Sequence, residues 1–128
     1  EINIKYMAHI LPNLFPFIAP RNKNLKTTVF DGINFNSFKE LQRYKELIAL
    51  RRNKKIILLG VYPKFLVFNE FKDNRGSLHK PIHYQPSFAY QKKNKKVVED
   101  VKKFKNEAHE IKKKLFLFNY IDVEYREI

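Results

Sequence analysis

The six residues VVEDVK, numbered 97–102, form an apolar run that ends in two acids and a lysine, which predicts a β-strand ending at a polar site. Successive side chains of a strand alternate between its two faces. Asp100 and Lys102 therefore share a face, and Glu99 points to the other. An acid and a lysine so spaced suit metal-assisted phosphodiester hydrolysis, in which the carboxylate holds Mg²⁺ and the lysine orients a water. One carboxylate holds Mg²⁺ poorly, so a second acid must converge on it; a solvated strand end is the alternative.

The segments around this strand predict an α/β domain. The dipeptide Asp31-Gly32 predicts a hairpin over residues 27–35. Asn36 or Ser37 offers an N-cap for a helix that runs to about residue 52. Beyond it we predict strands over residues 56–60, 61–71, 81–90 and 95–102, a helix over 106–118 and a strand over 121–128.

Each predicted helix has an apolar stripe that should face the core. In the first helix the stripe contains Phe38, Leu41, the stem of Lys45 and Ile48, with Tyr44 and Leu47 beside it. In the second helix the inner face is predicted to contain Ala108, Ile111, Leu115 and Phe118.

Residues 1–26 differ from the rest of the chain. Pro12, Pro16 and Pro20 recur once per helical turn and exclude a regular helix. The apolar run between them is too short to span a bilayer. We expect an extended arm, packed on its own domain or on other proteins of an assembly, followed by a domain over residues 27–128. The chain begins at Glu1 rather than Met, and a cleaved presequence is one explanation among several.

The charge of the chain predicts a polyanionic partner. It carries 26 basic and 13 acidic residues, a net charge of +13, and no cysteine, which leaves no thiolate metal site. A surplus of this size repels itself unless an anion offsets it, and nucleic acid is a better candidate than a membrane. An A/T-rich gene explains why the basic residues are mostly lysine, but not why acidic residues are few. Such a gene is typical of organelle-associated, protist, phage or low-GC bacterial sources.

From Thr28 onward the chain resembles a small family of phage and prophage proteins assigned to the PD-(D/E)XK nuclease superfamily. The resemblance lies in ordered segments that match the family's hairpin and helix, middle strand, hairpin, acid-lysine strand, closing helix and last strand. These segments are VFDGINFNSFKELQRYKEL, YPKFLVF, IHYQPSFAY, VVEDVK and EIKKKLFLFNYIDVEYREI. The resemblance implies a restriction-endonuclease-like core, with a central mixed sheet flanked by two helices.

The resemblance also implies roles for single residues. Glu40 corresponds to the family's helix acid, Asp100 to its metal-binding acid and Lys102 to its lysine. Tyr84 and Tyr90 would flank the site on the neighbouring strand. Without the resemblance, Glu40 would be assigned to a solvated ion pair with Arg43 three positions on, and the two tyrosines to core packing.

Departures from the family pattern gather around this site and predict that it is inactive. Ser87 stands where the family has its principal metal aspartate, and a neutral hydroxyl is a poor ligand for Mg²⁺. Pro86, Tyr62 and Lys103 replace a small apolar residue, a glutamine and a glycine, and Pro86 also predicts a strand break. We therefore expect no metal cofactor; an active enzyme would hold Mg²⁺ through Asp100 and Glu40.

The sequence thus predicts a catalytically inactive nuclease-fold domain that binds nucleic acid, with RNA favoured, as a structural part of a ribonucleoprotein such as a mitochondrial ribosome. The residues expected to contact nucleic acid are Arg43, Lys92, Lys93, Lys95, Lys103, Lys105, Lys112 and Lys113. One alternative is an active Mg²⁺-dependent endonuclease of phage type that cuts DNA in a phage or bacterial setting. Another is a protein-binding adaptor that acts through residues 1–26.

Overall fold

A computed structural model describes residues 28–101 and 106–128. The predicted arm over residues 1–26 lies outside the described residues, as do Lys102, Lys103 and Lys105. The described strands are β1 (Thr28–Phe30), β2 (Ile33–Phe35), β3 (Ile57–Val61), β4 (Phe65–Phe68), β5 (Phe71–Lys72), β6 (Leu78–His79), β7 (Ile82–Tyr84), β8 (Phe88–Lys92), β9 (Lys95–Asp100) and β10 (Val123–Glu127). The helices are α1 (Phe38–Arg52) and α2 (Glu107–Asn119).

The fold is a mixed α/β arrangement around a four-stranded sheet, which confirms the predicted class at this level. The strand order is β10-β9-β8-β3. β9 and β10 are parallel, and the chain between them contains α2, whereas β8 pairs antiparallel with both β9 and β3. The other described strands form three two-stranded ribbons, β1-β2, β4-β7 and β5-β6. Neither helix in the described part of the chain is long and apolar enough to cross a lipid bilayer.

Local sequence preferences determine the turn between β1 and β2 and the N-cap of α1, as predicted. Asp31 and Gly32 have φ angles of 52° and 73° and join β1 to β2 in the left-handed conformation that a two-residue hairpin requires. Ser37 caps α1, and its hydroxyl accepts a hydrogen bond from the Glu40 backbone N–H at 3.1 Å.

Helix α1 packs on one face of the sheet, but its buried stripe is rotated from the predicted one. Leu41, Tyr44 and Leu47 pack in a cluster with residues of β8 and β9. Phe38 is 66% exposed, whereas Glu40 is fully buried. The helix can turn its acid inward because hydroxyl and backbone donors inside the protein satisfy the carboxylate, as described below.

Helix α2 covers the opposite face, and the predicted inner face is largely wrong. Phe116 is fully buried, and its ring lies 4.9 Å from Phe65 and 5.1 Å from Tyr84 between centroids. Leu115 is partly buried, as predicted, but Phe118 is 81% exposed, and Ala108 and Ile111 are exposed as well. The β4-β7 ribbon offers an aromatic pocket that fits one ring of the run LFLF, and this contact sets the rotation of the helix.

Two predicted strands are interrupted, and Tyr62 and Ser87, which lie at the interruptions, are both buried. The predicted strand over residues 61–71 is interrupted at Tyr62, between β3 and β4, and again between β4 and β5. The predicted strand over residues 81–90 divides around Pro86, as expected, so that Tyr84 ends β7 and Ser87 directly precedes β8. The Tyr62 backbone N–H donates to the Ser87 carbonyl at 2.8 Å, which ties the two breaks together.

Candidate functional site

Ser87 lies between two buried carboxylates from distant parts of the chain. Its Oγ is 3.0 Å from Glu40 Oε1 and 3.3 Å from Asp100 Oδ1, and it accepts a hydrogen bond from the Val101 N–H at 3.1 Å. Glu40, Ser87 and Asp100 are 0%, 1% and 6% exposed. The first turn of α1, the start of β8 and the end of β9 supply them. The structure therefore brings together three of the residues that the sequence analysis assigned to one site, and the fourth, Lys102, lies outside the described residues.

Glu40 is held by donors on both of its carboxylate oxygens. Oε2 accepts from the Asn36 backbone N–H at 3.0 Å and from the Tyr62 hydroxyl, while Ser87 contacts Oε1. The Asn36 contact makes Glu40 part of the helix cap, much as the acid of a capping box is. Tyr62 reaches Glu40 from a left-handed backbone conformation with φ of 52°, which is unfavourable for a tyrosine. A solvated ion pair between Glu40 and Arg43, the alternative assignment, does not form.

Asp100 faces a group of aromatic and imidazole side chains. The Tyr84 hydroxyl donates to Asp100 Oδ2 and lies 3.1 Å from the Tyr125 hydroxyl. His109 Nε2 is 3.4 Å from the same carboxylate oxygen. Burial, and then the negative charge of Asp100, raise the pKa of Tyr84 well above its ordinary value. Burial is also the main reason that the pKa of Tyr125 rises to about 12. Tyr84 therefore stays protonated and donates to Asp100 at physiological pH.

Glu99 of β9 and Tyr90 of β8 lie on the other face of the sheet. Glu99 is fully buried and accepts hydrogen bonds from Arg43 Nε at 2.7 Å and from the Tyr90 hydroxyl. The expectation that Tyr90 flanks the site is therefore wrong, because strand alternation directs it away from Asp100. Burial, and then the hydrogen bond to Glu99, raise the pKa of Tyr90 to about 12.

Arg43 joins α1 to the sheet through this buried acid. Its Nη2 lies 2.6 Å from Glu99 Oε2, and its Nη1 lies 2.7 Å from Glu46 Oε2. The hydrogen bond to Glu99 raises the pKa of Arg43 further above its already high value. Two carboxylates thus contact the guanidinium group and give Arg43 a structural role, while its contact with nucleic acid stays a prediction.

A basic cleft opens beside the Asp100 side of the site. The cleft has a volume of about 490 Å³. We call it the Tyr84 cleft, and it is lined by Lys64, His83, Tyr84, Gln85, Asn106, Ala108, His109 and Lys112. Lys112 was predicted to bind nucleic acid, but Lys64 and His83 were not. The pairing of β4 with β7 sets His83 opposite Leu66 and so brings it close to Lys64, and local sequence patterns do not reveal that pairing.

The other described lysines that were predicted to contact nucleic acid lie elsewhere. Lys92, Lys93 and Lys95 surround the turn between β8 and β9, at the end of β9 opposite to Asp100. At about 3.3 Å per residue, the two ends of β9 are roughly 16 Å apart. Lys113 is turned toward β10, with its Nζ 3.4 Å from Glu127 Oε1. Among the residues that the structure describes, those predicted to contact nucleic acid therefore divide between two surfaces and do not line a single groove.

The atoms around Glu40 and Asp100 fit a hydrogen-bonded polar cluster better than a Mg²⁺ site. Ser87 contributes no charge, and the hydroxyl hydrogens of Tyr62 and Tyr84 point at the carboxylate oxygens that a dication would need. Mg²⁺ favours carboxylate and water ligands in a near-ideal octahedral arrangement. A cation here would have to displace donors on both acids.

Comparison with known proteins identifies a family but no described activity. No curated protein and no solved structure matches the chain. Residues 21–128 match a family described as proteins of unknown function, DUF1064. The matched region includes Glu40, Ser87, Asp100 and both basic surfaces. The chain is therefore a member of the DUF1064 family.

Proposed function

We propose that this protein is a catalytically inactive member of the PD-(D/E)XK nuclease superfamily that binds nucleic acid, with RNA favoured, as a structural component of a ribonucleoprotein such as a mitochondrial ribosome. The observation that carries the proposal is the position of Ser87 between Glu40 and Asp100. A nuclease of the proposed ancestry would hold its metal between these acids and an aspartate at position 87. A restriction-endonuclease-like core would account for the mixed sheet with Asp100 at the end of an inner strand.

The chemistry of the cluster supports the loss of catalysis. Replacing an aspartate by Ser87 removes one of three negative charges that would attract a dication. Tyr62 and Tyr84 then stabilise the remaining carboxylates as hydrogen-bond acceptors. Asp100 is only 6% exposed, so a water nucleophile would have little access to it. The cluster would now stabilise the junction of α1, β8 and β9.

The charge distribution supports binding of a polyanion. The Tyr84 cleft presents Lys64 and Lys112 together with His83 and His109. The cleft adjoins the position at which a nuclease of this type would cleave its substrate, so a nucleic-acid strand could still bind there without being cleaved. With a net charge of +13, phosphate contacts would dominate the affinity.

Salt dependence tests the binding half of the proposal. The affinity for a single-stranded RNA should fall steeply with salt, and removal of a phosphate contact should reduce the slope of log K against log salt by about 0.7. Lys64→Gln and Lys112→Gln should each do so, whereas Lys39→Gln, on the exposed side of α1, should not. Salt-insensitive binding, or no binding, would contradict the proposal. Sequencing the RNA that co-purifies with the native protein would identify the assembly.

The alternative, an active Mg²⁺-dependent DNA endonuclease, is favoured by one observation. Glu40 and Asp100 both remain within hydrogen-bonding distance of a single oxygen, so a pair of acids persists. Incubation of the protein with Mg²⁺ or Mn²⁺ and with linear or branched DNA distinguishes the two. We expect no cleavage; cleavage that Asp100→Asn abolishes would establish the alternative.

A further inference from the structure

A β-hairpin beside the Tyr84 cleft is exposed along most of its length. Its two ribbons, β4-β7 and β5-β6, follow one another along the chain, and every residue from 68 to 83 is exposed except Asp73. Lys64 and His83, which line the cleft, lie at its base. An isolated two-stranded ribbon is only marginally stable in water, so the side chains of β5-β6 must themselves hold it together. We call β5, β6 and the turn between them the Phe71 ribbon.

Two rings stack across the Phe71 ribbon. Phe71 and His79 are paired opposite each other in the two strands, with ring centroids 4.7 Å apart and ring planes inclined by 12°. Phe68 meets Phe71 edge-on, with centroids 5.8 Å apart. Cross-strand pairs of this kind stabilise a ribbon, and the pair with Phe71 covers one face of the imidazole. The His79 side chain nevertheless remains 47% exposed, so a further ring can stack on it and extend the pair.

Asp73 holds the imidazole in place. Its Oδ2 lies 2.9 Å from His79 Nε2, and its Oδ1 accepts hydrogen bonds from the backbone N–H groups of Arg75 and Ser77. The hydrogen bond with His79 is the main reason that the pKa of Asp73 lies below its ordinary value. The turn thus fixes the acid, and the acid fixes the ring. Little side-chain freedom therefore remains to be lost when a ligand stacks on His79.

The charges around the stacked rings favour a ligand that is both planar and anionic. Lys72 and Lys80 directly follow the two stacked residues in the sequence, and the side chain of Arg75 in the turn is 81% exposed. The acids in this part of the chain are Glu70 and Asp73, and the imidazole already engages Asp73. Rings that stack on bases, next to cations that contact phosphates, are the combination with which proteins bind single-stranded nucleic acid.

We propose that His79 is a stacking platform for an unpaired base of the nucleic-acid strand whose phosphates lie in the Tyr84 cleft. His79 is four residues from His83 at the cleft, a span of at most roughly 14 Å, so one strand can reach both. A base inside a duplex is paired and already stacked on its neighbours, and it cannot occupy the platform. The inference rests on the proposed function and narrows it to binding of single-stranded nucleic acid.

Two substitutions at His79 test the platform. His79→Leu removes the flat ring and keeps an apolar side chain, whereas His79→Phe keeps a flat ring and removes the imidazole nitrogens. Fluorescence anisotropy with a labelled single-stranded RNA and the full chain should show at least about a fivefold loss of affinity for His79→Leu and less than about a twofold loss for His79→Phe. Because stacking releases no counterions, both variants should keep the slope of log K against log salt. Unchanged affinity of His79→Leu, or losses of similar size in the two variants, would overturn the proposal.

Two controls separate stacking from charge and from general effects of losing an exposed ring. Inorganic polyphosphate carries the charge of a nucleic acid but no bases, so it should bind His79→Leu and the unaltered protein equally. Phe38→Leu removes an exposed ring from α1 and should leave the affinity for RNA unchanged. A loss of affinity in either control equal to that of His79→Leu with RNA would also refute the proposal.

The unaltered protein decides the question if a variant fails to fold. It should bind a single-stranded RNA more tightly than a duplex of the same sequence, although the duplex has the higher charge density. Equal or tighter binding of the duplex would contradict this inference alone. Absence of salt-dependent binding to either RNA would contradict the proposed function.

Discussion

Ser87→Asp would place a third carboxylate between two buried acids, and its effect can be worked out from the distances. Ser87 Oγ lies 3.0 Å from Glu40 Oε1 and 3.3 Å from Asp100 Oδ1. A carboxylate at this position would lie about 4 Å from each acid, where two like charges repel by about 4 kcal/mol at an effective dielectric constant of about 20. Uptake of one proton relieves most of this repulsion. At pH 7 that proton costs about 4 kcal/mol for a carboxyl group of ordinary pKa, and at pH 5 about 1.5 kcal/mol.

We therefore expect Ser87→Asp to lower the free energy of unfolding by up to about 4 kcal/mol at pH 7 and by much less at pH 5. For a domain of about 100 residues, this corresponds to a fall in Tm of about 15 °C at pH 7. Mn²⁺ or Mg²⁺ should reverse part of the loss, because a dication replaces the missing proton. A metal concentration 100 times its Kd would recover about 2.7 kcal/mol.

Thermal unfolding followed by circular dichroism, at both pH values and with and without Mn²⁺, measures these changes. Ser87→Asn is the matched control, because it has nearly the size of aspartate without the charge, and its Tm should not respond to Mn²⁺. If Ser87→Asp were as stable as the unaltered protein at pH 7, the argument from repulsion would be wrong. If Mn²⁺ stabilised the unaltered protein as strongly as the variant, the inference that Ser87 marks a lost metal ligand would be wrong.

Three further changes test other parts of the fold. Arg43→Met should lower the free energy of unfolding, measured by urea denaturation, by about 3–5 kcal/mol, because it leaves Glu99 buried without its ion-pair partner. Glu46→Gln, at the exposed end of the same network, should lower it by under about 1 kcal/mol. Equal effects of the two substitutions would contradict the structural role of Arg43. Lys93→Gly should raise the stability by about 1 kcal/mol, since it relieves a positive φ, yet weaken RNA binding; a stable variant with unchanged affinity would remove Lys93 from the interface. Stability should fall as the pH rises from about 10, the ordinary pKa of tyrosine, through about 12, the raised pKa of Tyr90, because the unfolded chain loses that proton first. Tyr90→Phe should make this alkaline decline in Tm shallower, and an unchanged slope would exclude Tyr90 as a source.

Features with local causes could be predicted from the sequence. The turn at Asp31-Gly32, the cap at Ser37 and the break at Pro86 each follow from the conformational preferences of one or two residues. The opposite directions of Glu99 and Asp100 follow from strand alternation alone. The meeting of Glu40 with Asp100 followed from the resemblance, since no local pattern joins residues so far apart in the chain.

Features that depend on tertiary contacts could not be predicted in the same way. In α2 the run LFLF offers apolar residues at every rotation of the helix, so periodicity does not select Phe116 over Phe118. The aromatic pocket of Phe65 and Tyr84 makes that selection. The division of the lysines between two surfaces likewise depends on strand length, because β9 sets its first residue far from its last.

The sequence of β9 also has a consequence for how the chain folds. Val97 resembles Val98 and Glu99 resembles Asp100, so a shift of the strand by one position would exchange like for like at positions 97 and 99. The same shift would place Glu99 at the buried position of Val98 and Val101 at that of Asp100. The apolar cluster around Val98 therefore distinguishes the native alignment from its neighbour. The tight turn that links Lys92 to Lys95, and the extra methylene by which Glu99 reaches Arg43, select the native alignment. Exchanging the two acids would preserve every charge and the burial of Val98, so the strand would keep its alignment while a shorter acid faced Arg43.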